Sequence, residues 1–215
     1  CLAARQQPDR TALFGIVQGG FEAESRRRHA EQICEFDLDG YAIGGLSVGE
    51  DMDQMLEMVG HTTAVLPEDR PRYLMGVGFP RDIVGGVLRG VDLFDCVLPT
   101  RLARFGQLFT SQGRMSLKHS RYRDDPRPID PDCTCYTCRS FSRAYLRHLH
   151  TTHEVLAPRL LTLHNTSFYQ NLMRRVREAI STGPEALDRL LNLAKRWQAP
   201  YTDDPSYGNA DDPAN

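Results

Sequence analysis

The first half of the chain alternates between short apolar runs and longer amphipathic stretches, and it does so four times between residues 12 and 105. Short apolar strands that are separated by helices are typical of a parallel sheet covered by helices. The sequence therefore predicts an α/β fold. The predicted strands lie at residues 12–17, 40–43, 72–75 and 93–98, and the predicted helices at residues 21–36, 51–65 and 80–89. Pro99 is expected to end the fourth strand.

Polar residues and glycines occupy the carboxyl ends of these predicted strands. Gln18 follows the first strand, Gly44–Gly45 the second, and Met75–Gly76 lies at the end of the third. Asp95 falls in the fourth run, where a barrel enzyme would carry its catalytic carboxylate. In parallel α/β sheets, function collects where the strands end. A single glycine pair is more often a simple turn, so the prediction of a site rests on the four ends together.

The pattern changes after Arg101. Residues 107–117, with Gln112–Gly113 at their centre, predict a β-hairpin, and residues 121–131 form a loop rich in Asp, Arg and Pro. Helices are predicted at residues 140–150, 154–180 and 184–197. Residues 199–215 lack apolar periodicity, so we expect them to be disordered.

The composition is that of an ordinary globular protein, with 40% hydrophobic and 25% charged residues. No apolar run approaches the roughly 20 residues of a membrane span, and the first residues lack the pattern of a signal peptide. We therefore expect a cytoplasmic protein whose six cysteines are reduced, which favours metal binding over disulfides. Cys1, Cys34 and Cys96 stand alone and are expected to be inert.

The net charge of −2 hides an asymmetry along the chain. The segment from Arg101 to Arg147 contains ten Lys or Arg and four Asp, so it carries +6 and the remainder carries −8. A concentrated basic segment indicates contact with a polyanion, and a nucleic-acid backbone is the commonest one. The alternative is a solvated surface whose arginines pair with nearby acids.

Cys133, Cys135 and Cys138 form a Cys-x-Cys-x-x-Cys cluster. Three thiolates within six residues can converge on one zinc ion, and a structural zinc site needs a fourth ligand. His148 and His150 are close in sequence, but they are expected to point to different helix faces and to meet solvent. His164 lies on an otherwise apolar face, where a histidine is usually a satisfied core residue. Because the three-cysteine site lacks a fourth ligand, however, His164 is better interpreted as a zinc ligand than as a core residue.

Long motifs in both halves resemble the bacterial tRNA-guanine transglycosylases, which are also called queuine tRNA-ribosyltransferases. The resemblance runs from about residue 12 to residue 180. It rests on Phe94-Asp-Cys-Val-Leu-Pro-Thr-Arg101, Gly44-Gly-Leu-Ser-Val-Gly-Glu50, Tyr73-Leu-Met-Gly-Val-Gly78 and the cysteine cluster with His164. It implies a transferase, specifically a pentosyltransferase of queuosine biosynthesis, that replaces guanine at the tRNA wobble position with a 7-deazaguanine precursor of queuosine.

The resemblance also implies roles for individual residues. Asp95 matches the nucleophile that attacks the ribose and leaves a covalent RNA–enzyme intermediate, much as retaining glycosidases do. The other matched groups bind the base, support its pocket, contact the anticodon loop or hold one structural Zn²⁺. They are Gln18, Gly45 and Leu46 for base hydrogen bonds, Met75 and Gly76 for stacking, Glu50 for steadying the Leu46 peptide, Arg101 and Arg104 for RNA, and Cys133, Cys135, Cys138 and His164 for zinc.

The implied fold is the C-terminal half of a TIM barrel with an inserted zinc-binding subdomain. On this basis residues 1–105 form the half-barrel, residues 106–165 the hairpin and zinc subdomain, residues 166–198 the C-terminal helices and residues 199–215 a disordered tail. The family's N-terminal half, with a second aspartate that acts as acid and base, is expected to be absent, which predicts that the chain alone is inactive. A homodimer is expected by the same resemblance.

Two sequence features concern the substrate. Val48 stands where queuine-using eukaryotic enzymes of the family have glycine, which favours the smaller base preQ1. The polar C-terminal tail replaces the additional RNA-binding domain of the archaeal branch. Two alternatives remain open, namely a non-catalytic tRNA-binding subunit of the same fold and a stand-alone zinc-containing RNA-binding module. The intact motif around Asp95 argues against the first of these.

Overall fold

The computed structural model describes residues 2–7 and 9–197. The expected disorder of residues 199–215 and the expected inertness of Cys1 concern residues outside these ranges. The chain divides into two compact units. The first contains the residues up to Gly78 together with Asp82–Cys96, and the second contains Phe79–Arg81 and the residues from Val97 onward.

The first unit contains four parallel strands in the order in which they occur along the chain. Strands β1 to β4 are Phe14–Val17, Gly40–Ile43, Arg72–Leu74 and Leu93–Phe94, and helices α1 to α3 are Ala23–Cys34, Met52–Thr63 and Pro80–Val87. Every residue of β2 is buried, as expected for a strand covered on both faces. The predicted α/β fold class is confirmed, and these strand–helix units fit part of a TIM barrel.

Two aspartates fix the amino ends of neighbouring strands. Asp39, directly before β2, accepts a hydrogen bond of 2.8 Å from the backbone N–H of Leu13. Asp92, directly before β4, accepts one of 2.8 Å from the N–H of Arg72. Because each aspartate satisfies a backbone donor on the adjacent strand, the two contacts favour the observed pairing over a slipped one.

The fourth strand is shorter than the sequence predicted. It ends at Phe94, and a helix not foreseen from the sequence, α4, runs from Leu98 to Arg104. Pro99 lies in its first turn, where the missing N–H costs nothing. The expectation that Pro99 ends the fourth strand is therefore wrong, because the strand stops at Phe94 and Pro99 lies in the first turn of a helix.

Within the described residues, the second unit contains α4, a hairpin and four further α-helices. The hairpin strands β5 and β6, Gln107–Thr110 and Gly113–Ser116, pair antiparallel as predicted. Helices α5 to α8 are Tyr136–Ser140, Arg143–Thr151, Leu156–Thr182 and Pro184–Ala194. The predicted helix at 140–150 thus begins at Arg143, after an N-cap at Ser142, and the short α5 precedes it.

An aromatic cluster holds the hairpin against α7. The ring of Phe109 on β5 stacks on Phe168 at a centroid distance of 5.2 Å and meets Tyr169 edge to face at 5.4 Å. Trp197 packs edge to face on Phe168 and donates a hydrogen bond of 2.8 Å to the Thr110 carbonyl. None of the described helices is long and apolar enough to cross a membrane.

Candidate active site and metal centre

Asp95 lies just beyond the end of β4, and two donors from β3 and its following turn hold its carboxylate. Oδ1 accepts hydrogen bonds from the Tyr73 hydroxyl at 2.6 Å and from the Gly76 N–H at 2.8 Å. Gly76 has a φ of 73°, which glycine adopts without the strain that a side chain would cause. No other residue in the described part of the chain hydrogen-bonds to Oδ2. One carboxylate oxygen is therefore anchored and the other is available for chemistry.

These contacts keep Asp95 ionised. The Tyr73 hydroxyl and then the Gly76 N–H lower the pKa of the Asp95 carboxyl, because both donate to its charged form. The same interaction raises the pKa of Tyr73. Asp95 is therefore an exposed, oriented anion at neutral pH. Such a group can act as a nucleophile or stabilise a developing positive charge.

Gln18 and the Gly44–Gly45 pair lie in direct contact at the ends of β1 and β2. A Cβ added to Gly44 would lie 2.6 Å from Gln18 Nε2, and one added to Gly45 would lie 2.5 Å from Gln18 Oε1. Gly45 also has a φ of 66°. The two glycines thus leave room for the Gln18 carboxamide at this backbone, and a side chain at either position would have to displace it. The structure brings together the first two strand ends singled out in the sequence.

The turn after Gly45 is held by Glu50. Its carboxylate accepts hydrogen bonds from the N–H of Ser47 and, at 2.8 Å, from the N–H of Val48. Ser47 has a φ of 61°, which is unusual for a residue with a side chain and costs energy unless the surroundings hold it. Since the Ser47 N–H points to Glu50, the carbonyl of Leu46 in the same peptide faces the opposite way. Glu50 therefore fixes the orientation of the Leu46 peptide, the role implied by the family resemblance.

Two residues of α1 that the sequence analysis missed contact the same backbone. Arg26 donates to the carbonyls of Gly20, Gly44 and Gly45, and His29 Nδ1 accepts a hydrogen bond of 2.9 Å from the Gln18 N–H. A signal was available, because Arg26 occupies the inward face of the helix, four residues before the fully buried Ala30. Tyr73 was likewise missed as a partner of Asp95, since that contact depends on the register of β3 and β4.

The second unit brings together Cys133, Cys135, Cys138 and His164, as predicted. The four ligand atoms lie within 4.8 Å of one another, and His164 Nδ1 is 3.3 Å from Cys138 Sγ and 3.7 Å from Cys135 Sγ. A tetrahedral zinc site with Zn–S bonds of about 2.3 Å requires ligand separations of about 3.8 Å. The donor set and its spacing therefore fit one zinc ion.

The histidine of this cluster is oriented by a backbone carbonyl. His164 is fully buried, and its Nε2 lies 2.7 Å from the carbonyl oxygen of Phe109 on β5. A carbonyl can only accept, so Nε2 carries the proton and Nδ1 presents its lone pair to the sulfurs. Hydrogen bonds from Cys133 and Cys138 lower the pKa of the Cys135 thiol, and the bonds that Cys138 makes with Cys133 and Cys135 raise the pKa of Cys138, so Cys135 is the thiol of this pair that ionises first.

Asn165, the next residue, ties the same helix to two other elements. Its Oδ1 accepts from the Phe109 N–H at 3.2 Å, and its Nδ2 donates to the carbonyls of Pro99 and Gln107 at 3.1 Å each. The side chain is fully buried and uses three of its four hydrogen-bonding positions. Through these bonds the metal cluster, the hairpin and α4 are held together within the second unit.

The other histidines near the cluster are not ligands. His148 is exposed, as expected, but His150 is half-buried, and a Cβ added to Gly106 would lie 2.7 Å from its Nε2. Burial lowers the pKa of His150. The expectation that His150 meets solvent is therefore wrong, because its side chain packs against the turn between α4 and β5.

The basic segment divides into paired and unpaired arginines. Arg127 and Arg143 both bind the buried carboxylate of Asp125, and Arg147 donates to backbone carbonyls. Arg101 and Arg104 lie one turn apart and exposed on α4, and neither forms an ion pair with any residue that the structure describes. The alternative that the arginines pair with nearby acids thus applies to part of the segment. The guanidinium groups of Arg101 and Arg104 remain available for an anionic partner.

Comparison with known proteins places the chain in a family. A family profile described as "Queuine tRNA-ribosyltransferase" matches residues 1–201. Curated relatives called queuine tRNA-ribosyltransferase include one from Caldanaerobacter subterraneus, 51% identical over 97% of this chain and 53% of its own length. Another, from Solidesulfovibrio magneticus, is 55% identical over 85% of this chain and 49% of its own length. The chain belongs to this family, and it spans about half the length of the curated relatives it matches.

The hydrogen bond from Tyr73 predicts a measurable shift in acid titration. Tyr73→Phe removes one donor, so the pKa of Asp95 should rise towards the ordinary value of about 3.9. Because the folded-state pKa lies below the unfolded one, the contact stabilises the fold above about pH 4 and ceases to do so as pH falls through the folded value. Carboxyl NMR titration of both proteins measures this, with Asp39 as an internal control that should not move. An Asp95 titration that is identical in the two proteins would contradict the assignment.

The cysteine–histidine cluster predicts one bound Zn²⁺ per chain. Cys138→Ala and His164→Ala should each lose most of the metal on dialysis, because three donors do not close a structural site. His148→Ala serves as the matched control and should retain it. Metal analysis gives the stoichiometry, and circular dichroism should show loss of helix when a chelator removes the ion. A metal-free wild type, or loss of metal from the His148 variant, would overturn the ligand set.

Proposed function

We propose that this chain, a member of the queuine tRNA-ribosyltransferase family, carries the nucleophile and most of the base pocket of a tRNA-guanine transglycosylase. The reaction exchanges guanine at the wobble position of tRNA for the queuosine precursor preQ1. It passes through a covalent bond between Asp95 and the ribose. Activity tests below use the whole-length protein, meaning this chain joined to the N-terminal half that its relatives carry.

The observation that supports the proposal most strongly is the anchored carboxylate of Asp95. Tyr73 and Gly76 hold Oδ1, so we assign the attack on the ribose C1′ to Oδ2. The new O–C1′ bond forms as the glycosidic bond to guanine breaks, and the leaving nitrogen of guanine takes the proton of the acid–base aspartate that the family resemblance places in the N-terminal half. The incoming base then returns a proton to that aspartate from its own ring nitrogen, as this nitrogen bonds to C1′ and the bond between C1′ and Asp95 breaks. Two displacements retain the configuration at C1′, as in retaining glycosidases.

The geometry around Gln18 supports recognition of a planar base. The Gln18 carboxamide and the Gly45–Leu46 backbone supply hydrogen-bond donors and acceptors at the ends of β1 and β2. Such groups can form hydrogen bonds with the edge of a base. The Leu46 carbonyl faces away from Glu50 and so can accept from the ammonium of the preQ1 aminomethyl group. Met75, half-buried at the end of β3, supplies an apolar surface for stacking.

RNA contact is assigned to Arg101 and Arg104. Their exposed guanidinium groups can pair with phosphates of the anticodon loop, because arginine binds phosphate with two parallel hydrogen bonds. Cys133, Cys135, Cys138 and His164 would hold zinc, which supplies a rigid cross-link between α5, α7 and the adjoining loop when bound. The expected homodimer and cytoplasmic location remain predictions.

A non-catalytic tRNA-binding subunit of the same fold is the second candidate. It would use the arginines and the metal cluster but would have no need of an oriented anion. The two hydrogen bonds that hold Asp95 favour the enzyme over this alternative.

Asp95→Asn in the whole-length protein should lower guanine exchange into tRNA by at least about a thousandfold while leaving tRNA affinity unchanged. The amide keeps the shape of the side chain but cannot attack as an anion. Radiolabelled guanine incorporation measures the rate, and filter binding measures affinity. Asp69→Asn, an exposed surface carboxylate, is the control and should behave as wild type. Appreciable exchange by the Asp95 variant would assign the nucleophile elsewhere.

Arg101→Ala and Arg104→Ala should each weaken tRNA binding and lower the slope of log affinity against log salt concentration by roughly one. The reason is that each lost phosphate contact releases about one counterion fewer. Arg189→Ala, at an exposed arginine already near Glu185, provides the control. If the salt slopes of all three variants equal that of the wild type, α4 is only a solvated surface.

A further inference from the structure

We propose that Arg26 is a positioning residue that sets the distance between the Gln18 loop and the Gly45–Leu46 loop, and thereby the affinity for the exchanged base. The proposal rests on the base-exchange function above. Arg26 is not among the residues assigned to contact the base. Its proposed role means that α1 takes part in base recognition.

Arg26 is an unusual core residue. It is 0% exposed, although arginines are rarely buried completely without a bound carboxylate. Its hydrogen bonds go to backbone carbonyls alone, and Nη1 is buried without a partner among the described residues. Burial lowers the pKa of the guanidinium, and the charge of Glu50 only partly opposes this. The cost of this buried charge is offset by its bonds to the three carbonyls, so the contribution of the arginine at this position lies in linking them.

The guanidinium bridges two loops that belong to neighbouring strands. Nε donates to the Gly20 carbonyl at 2.6 Å, two residues after Gln18. Nη2 donates to the carbonyls of Gly44 at 3.1 Å and Gly45 at 3.4 Å, directly after β2. Because the donors of a guanidinium are fixed in one plane, these bonds define the spacing of the two loops.

The neighbouring turn of α1 supports the same arrangement. His29, one turn after Arg26, accepts from the Gln18 N–H and so holds the start of the first loop. The Gln18 side chain in turn lies so close to Gly44 and Gly45 that a Cβ at either position would have to displace its carboxamide. A small separation of the loops would therefore shift the carboxamide relative to the Leu46 peptide. Misplacement of about 1 Å is known to cost roughly a hundredfold in comparable sites.

Lysine and methionine test this role. Arg26→Lys keeps the charge but has a single nitrogen that cannot span three carbonyls in a plane, and Arg26→Met fills the space without hydrogen bonds. In whole-length protein, both should raise the KM for guanine by roughly ten- to a hundredfold. The KM for tRNA should stay within about twofold of the wild type. Arg28→Lys and Arg28→Met, on the exposed side of the same helix, should leave both constants unchanged.

A second measurement separates positioning from a general loss of structure. Hydrogen exchange of the peptide that spans residues 40–50 should accelerate in both Arg26 variants, while the strand β4 region and the thermal midpoint change little. An unchanged guanine KM in the folded variants would overturn the proposal, and so would failure of both variants to fold. Absence of guanine incorporation by the wild type would instead contradict the proposed function itself.

Discussion

Pairing of β1 with β2, β2 with β3 and β3 with β4 in the same direction places the residues that follow the four strands along one edge of the sheet. Every group of the candidate active site depends on this constraint. Tyr73 and Gly76 reach Asp95 because β3 and β4 are adjacent and parallel. Gln18 reaches Gly45 because β1 and β2 are also adjacent and parallel. The register of the sheet brings the strand ends together, and contacts from α1 and Glu50 then hold the loops that follow β1 and β2.

In the second unit, side chains of α7 satisfy the backbone groups of Phe109 on strand β5. The N–H and carbonyl of Phe109 bond to Asn165 and His164, two consecutive residues of α7. Since His164 is also the proposed metal ligand, the ion and the hairpin share one anchoring residue. The same Asn165 reaches the Pro99 carbonyl of α4, the helix that presents the exposed arginines. The proposed metal site and the two arginines proposed to contact RNA are thus connected by a common set of hydrogen bonds within this unit.

The positions of the strands and the residues at their ends could be read from the sequence, because an apolar run followed by glycine or a polar residue marks both. The metal cluster could be read as well, since cysteine spacing reports directly on ligand geometry. Helix α4 was missed because Pro99 suits both the end of a strand and the first turn of a helix. Tyr73 and Arg26 were missed because their contacts depend on strand register and on the rotation of α1, which residue type alone does not determine.

The proposed covalent bond between Asp95 and the ribose of tRNA can be tested directly. The most direct test is to incubate whole-length protein with tRNA in the absence of an incoming base, denature and digest the mixture, and sequence the RNA-linked peptide by mass spectrometry. The account predicts one adduct, attached through an ester at Asp95. An adduct on another residue, or base exchange that proceeds with no adduct at all, would contradict it.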